Sequence, residues 1–148
     1  MAQGNVNQNE LNKVYVTTQI NDSSVIALTT GEAIEDVRCR AVKFDENGNV
    51  VLAAAGDKPF GVGIITNNVN VASGVYVDIQ YKNIGLVYAG GQYAKGTPLS
   101  VDANGCFVAA TTGESATAVV AVALEAASGA GVYTKALLTM GNGYVSAS

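Results

Sequence analysis

The chain has 148 residues, 49% of them apolar and only 14% charged, with a formal net charge of −4 and no histidine. That length can bury a core without covalent staples, and no apolar run approaches the 18 or so residues of a membrane span. The acidic balance, with eight basic residues scattered from Lys13 to Lys135, argues against a partner held by phosphate contacts; the missing imidazole removes Ser-His-Asp and Cys-His nucleophiles, histidine metal sites and histidine acid/base chemistry.

Residues 1–12, "MAQGNVNQNELN", are rich in Asn and Gln and lack periodicity, so they read as a flexible polar arm that orders only against something else. They contain neither a basic n-region nor an apolar h-region; no secretory signal is expected and the protein should be made in a cytoplasm. Residues 13–148 read as one β domain. It opens with "KVYVTTQI", a β-branched run, the turn-forming "NDSS", and a second run "VIALTT", which together predict a hairpin.

Further along, "DENGNVVLAAAGD" from Asp45 returns as "DANGCFVAATTGE" from Asp102, 57 residues later. The same offset, without a gap, sets Gly48 on Gly105, Val51 on Val108, Val62 on Val119 and the "GVY" ending at Tyr76 on the "GVY" ending at Tyr133. Two repeat units, about 40–85 and 97–142, are therefore expected to pack with approximate internal symmetry. In each, Asp and Asn-Gly between two β-type runs predict a hairpin, because Asn and Gly tolerate the positive φ of a tight turn. An apolar run follows, then a small-residue loop, then an alternating strand starting at "VYVDIQY" or "VYTKALL". Alanine-rich "ESATAVVAVALEAA" would suit a helix by propensity. Its counterpart "DKPFGVGIITNN" carries Pro59 and two glycines and would not, so Val119 to Leu124 is assigned as a strand. The expected fold is all-β, a compact antiparallel sandwich or small barrel of roughly ten short strands.

Sites for chemistry are few. "GVG" at Gly61 and "GG" at Gly90 fit no phosphate-loop pattern and read as tight turns. Glu32, Glu35 and Asp36, or Asp45 and Glu46, lack the alternating oxygen ligands of a calcium loop and read as solvated faces or turn tips. Cys39 and Cys106 read as two reduced thiols rather than a bridge. Tyr76 and Tyr133 read as cross-strand packing residues. No catalytic residue, metal or cofactor is expected.

The stretch "GDKPFGVGII…ASGVYVDIQYKNIGLVYAGGQYAKGTPLSVDANGCFVAAT", continued by "AVALEAASGAGVYTKALL", resembles the capsid decoration (cement) proteins of tailed bacteriophages and the base domain of phage head-fibre proteins. The pattern falls on Pro59 to Val62, Gly85 to Val108 and Ala123 to Leu138, within a match of residues 31 to 140. The resemblance implies a β-rich domain, often a homotrimer, that binds the outer face of the major capsid protein and stabilises the shell on the virion surface. The arm lies outside the match, and Gln3, Asn5, Asn7, Gln8 and Asn9 are its candidate capsid contacts. A head-fibre anchor or an adhesin for host surface glycans is the alternative reading. A carboxylate-dependent hydrolase is a remote one, resting only on twelve acidic residues that no motif organises. Neither nucleic acid nor a membrane is expected as a partner.

Overall fold

The computed structural model describes residues 24–112 and 117–144; the expected arm, the expected first strand of the N-terminal hairpin and the candidate contact residues Gln3, Asn5, Asn7, Gln8 and Asn9 fall outside that range. Among the described residues there is no helix. In chain order the strands are β1 (Val25–Thr29), β2 (Ala41–Phe44), β3 (Val50–Leu52), β4 (Gly61–Gly63), β5 (Tyr76–Gln80), β6 (Asn83–Tyr88), β7 (Pro98–Val101), β8 (Phe107–Ala109), β9 (Ala118–Ala123) and β10 (Tyr133–Tyr144). They form two five-stranded antiparallel sheets, ordered β1-β5-β4-β2-β3 and β6-β10-β9-β7-β8. The fold is thus all-β and neither sheet closes into a barrel, although the parallel bridges Thr30–Val50 and Ala89–Phe107 draw the two edges of each sheet together at one end.

The strand order of the second sheet is that of the first with every label raised by five. Val42 faces Leu52 as Leu99 faces Ala109, and Phe44 faces Val50 as Val101 faces Phe107, both at the 57-residue offset. The gap-free frame fails at the next strand. Ala41 faces Val62 whereas Pro98 faces Val122, so Val62 corresponds to Val122 and not to Val119. From Leu52 to Gly61 is nine residues and from Ala109 to Ala121 twelve; the three extra residues are recovered before β10, where Gly63 to Ile79 spans sixteen and Ala123 to Ala136 thirteen. β9 confirms the strand over the helix, since its residues bond on both sides to β7 and β10.

Each Asp-x-Asn-Gly turn has the same build. Asp45 N–H donates to Asn49 O and Gly48 N–H to Asp45 O, with Gly48 at φ 78°; Asp102, Cys106 and Gly105 (φ 74°) repeat the arrangement. Only the glycine is left-handed, because the loop is a turn followed by a Gly bulge and not the two-residue turn in which Asn also takes positive φ. The glycines Gly61 and Gly63 are likewise not turn residues. Both lie in β4, a central strand, where a side chain on Gly61 would fall on Ile79 and one on Gly63 on the carbonyl of Val37. They are small because backbones approach closely there.

Two apolar clusters fill the molecule. One holds Ile34, Val37, Val42, Val50, Val71, Val77 and Ile79 within the first sheet. The other holds Val87, Leu99, Phe107, Val120 and Leu138 of the second sheet and also takes in Ala41, Ala53 and Val62 of the first, which joins the two sheets. Where the first cluster has Ile34 bridged to Val71, the second has Tyr93 bridged to Ala127. The larger ring meets a smaller partner, and volume is conserved.

Candidate interaction surface

Two groups of apolar side chains at the surface stand out. The first is a groove of about 560 Å³ lined by Ile26 and Leu28 of β1, Phe44 of β2, Phe60, and Leu138 and Met140 of β10. Phe44 and Phe60 form its floor, their rings stacked with centroids 4.0 Å apart and 4° between planes. Such a stack is normally buried, yet Phe44 is 48% exposed. The second lies on the outer face of the second sheet. There Ile84 of edge strand β6 faces Leu137 of β10, which faces Val122 of β9, which faces Pro98 of β7, an apolar row across four strands. Ile84 is 58% and Leu137 42% exposed. Beside them Ile64, Ile65 and Leu86 line a hollow of about 310 Å³.

Local chemistry explains why these positions face out. In β6 and β10 alternate residues point inward, so Gly85, Val87, Thr134, Ala136 and Leu138 are buried while Ile84, Leu86, Lys135 and Leu137 are not. Gln80 holds the corner between the sheets: its Nε2 donates to Lys82 O and Ile84 O, both at 2.9 Å. A side chain at Gly85 would meet the Gln80 amide oxygen at 2.7 Å, so this glycine lets β6 pass over that amide. An apolar row on a water-facing sheet side is the pattern of a surface that meets another molecule.

Several acidic residues hold local structure. Asp36 takes a two-point contact from Arg38 at 2.9 and 3.0 Å, and Asp57 pairs with Lys43 at 2.8 Å and accepts from Ala54 N–H. Each pairing holds its carboxyl below the ordinary value of 3.8, Asp36 through its hydrogen bond with Arg38 and Asp57 through that with Lys43. That is the wrong direction for a general acid at neutral pH. Glu32 accepts from Leu52 N–H, while Asp45 and Asp102 each accept two backbone N–H groups in their turns. Among the described residues no group of three or more Cys, Asp or Glu side chains converges as metal ligands would. Cys39 and Cys106 are both buried free thiols; desolvation pushes Cys39 up to about 12 and raises Cys106.

The tyrosines divide. Tyr133 faces Tyr88 across the β10–β6 ladder, their rings edge to face at 5.3 Å, as cross-strand packing requires. Tyr76 faces Thr29 but is 77% exposed and packs on little, because its neighbour is too small to cover it. The apolar row itself was legible only indirectly. "ALL" in β10 puts apolar residues on both parities of one strand, the mark of a strand covered on both faces.

No protein-family model matches the chain, and no curated protein does. The fold is similar to the crystal structure of the N base of head fibre gp8.5 of bacteriophage phi29, with a TM-score of 0.58, 17% identity, and coverage of 82% of this chain and 97% of that one. At that identity the likeness is one of fold.

Proposed function

We propose that this chain is a structural protein of a phage virion, of the head-fibre base kind, held on the outside of the capsid. The observation that carries the reading is the shared fold with a head-fibre base over nearly the whole of that domain. Between the two phage roles that the sequence suggests, fibre base and shell cement, this favours the base. The partner of either would be the major capsid protein.

The surface supports a binding role. Strips of exposed Ile, Leu and Phe give an interface its apolar centre, and many copies on a lattice would gain from avidity, so that one contact need not be strong. Asp36 and Asp57 are paired with cations and held low, which counts against either as a general acid, and we propose no enzymatic activity.

The test is detection of the protein in purified virions, followed by cosedimentation of recombinant protein with capsids that lack it. Saturable pelleting with shells is expected; a protein found only in the soluble fraction of infected cells, and in the supernatant with shells, would reject the reading. Stabilisation of the shell is a separate expectation, read as a rise in the temperature at which decorated capsids release their DNA. Homotrimer formation is read by light scattering. Host-glycan recognition, the second use for an exposed virion domain, is read on a glycan array.

A further inference from the structure

The joint between the sheets is one-sided. Ala41, the first residue of β2, donates its N–H to Gly105 O at 2.8 Å, and Tyr88 N–H donates to Cys39 O at 2.7 Å. Arg40 lies over the Tyr88 ring at 5.2 Å. A side chain on Gly105 would come within 3.0 Å of Ala41 O and 3.3 Å of Ala53 O, so the turn tip of the second sheet presses on a seat formed by the start of β2 and the end of β3. The corresponding parts on the other side do not meet. The first sheet's own tip is open, with nothing within 4 Å of a side chain built on Gly48; the second sheet's seat is open too, with nothing within 4 Å at Gly96 and Pro98 exposed.

A contact in which the seat of one unit takes the tip of the next is heterologous, and such contacts run on into rings or filaments unless something stops them. The chain differs from itself at the positions that would allow it. Pro98 stands where Ala41 supplies the joint's N–H, and proline has none to give. At the open tip Asn49 stands where the docked tip has the buried Cys106, so docking would strip water from an amide.

We infer that Pro98, with Asn49, keeps copies of this chain from joining end to end through a repeat of its internal joint. The inference does not depend on the proposed function. In sedimentation velocity the natural chain forms one discrete species whose size does not grow with concentration. The variant Pro98→Ala/Asn49→Ala forms an open-ended series, with a weight-average mass rising about twofold or more over a tenfold concentration range, as mass action requires. A folded variant that keeps the natural chain's single species would overturn the inference. The converse substitution, Ala41→Pro, places the same block inside the joint. It should split the single unfolding transition in urea into two or lower its midpoint, and an unchanged curve would overturn the inference as well.

Discussion

Asp102 and Gly90 lock against each other. The Asp102 carboxylate accepts N–H bonds from Asn104 at 2.8 Å and Cys106 at 3.0 Å with one oxygen, and its other oxygen lies 2.5 Å from where a Gly90 side chain would begin. Asp45 and Gly31 stand in the same relation in the first sheet. Each turn is thereby fastened to the segment that crosses it. Gly90→Ala should cost about 1–3 kcal/mol by forcing the carboxylate off its turn. Gly91→Ala, next door and with nothing within 4 Å, should change stability by less than about 0.5 kcal/mol. Equal urea midpoints for the two variants would contradict the lock.

Tyr93 and Thr134 share one hydrogen bond, hydroxyl to hydroxyl at 2.5 Å, inside the second sheet. Tyr93→Phe leaves the Thr134 hydroxyl buried without its partner and should cost about 1–3 kcal/mol. Adding Thr134→Val, the residue type that Val77 supplies at the matching place of the first sheet, should recover most of the loss. A double-mutant cycle measures the coupling; additive effects would show that the pair does not act as one.

Acid should weaken the fold through Asp36 and Asp57. Both carboxyls are held below 3.8 when folded. The unfolded chain therefore binds more protons in the window below about 4, so stability from these groups is complete above the unfolded value and is lost as pH falls through the folded ones. Lys43→Met removes the cause of the Asp57 shift and should flatten the acid side of the stability profile. An acid limb identical to that of the natural chain would contradict this.

Cys39 should be silent to thiol reagents. Burial pushes it up to about 12, so almost no thiolate exists at neutral pH, and thiolate is the reacting species. Cys106, raised for the same reason, should behave alike. Labelling at pH 7.5 should follow the rate of unfolding; rapid labelling of the folded protein by Ellman's reagent would contradict it.

The turns were legible in the sequence because their chemistry is local. "DENGN" and "DANGC" fall on loops whose bonds close within five residues. The strand at Val119 to Leu124 was legible only through its counterpart, since alanine propensity favours a helix and tertiary pairing overrides it. The roles of Gly61 and Gly63 were not legible, because Ile79 and Val37 crowd them from strands and loops distant in sequence. The same holds for the interaction surface. Ile84, Leu137, Val122 and Pro98 lie 14 to 53 residues apart and become a row only when β6, β10, β9 and β7 align. The polar contact residues of the arm lie outside the described residues.

Cosedimentation with capsids lacking this protein tests the virion role most directly. The natural chain should pellet with shells to a fixed number of copies, and Ile84→Asp/Leu137→Asp, which places two charges in the apolar row without touching the core, should pellet at least about tenfold less. Failure of the natural chain to pellet at any concentration would contradict the account; pelleting unchanged by the two aspartates would move the contact away from that row.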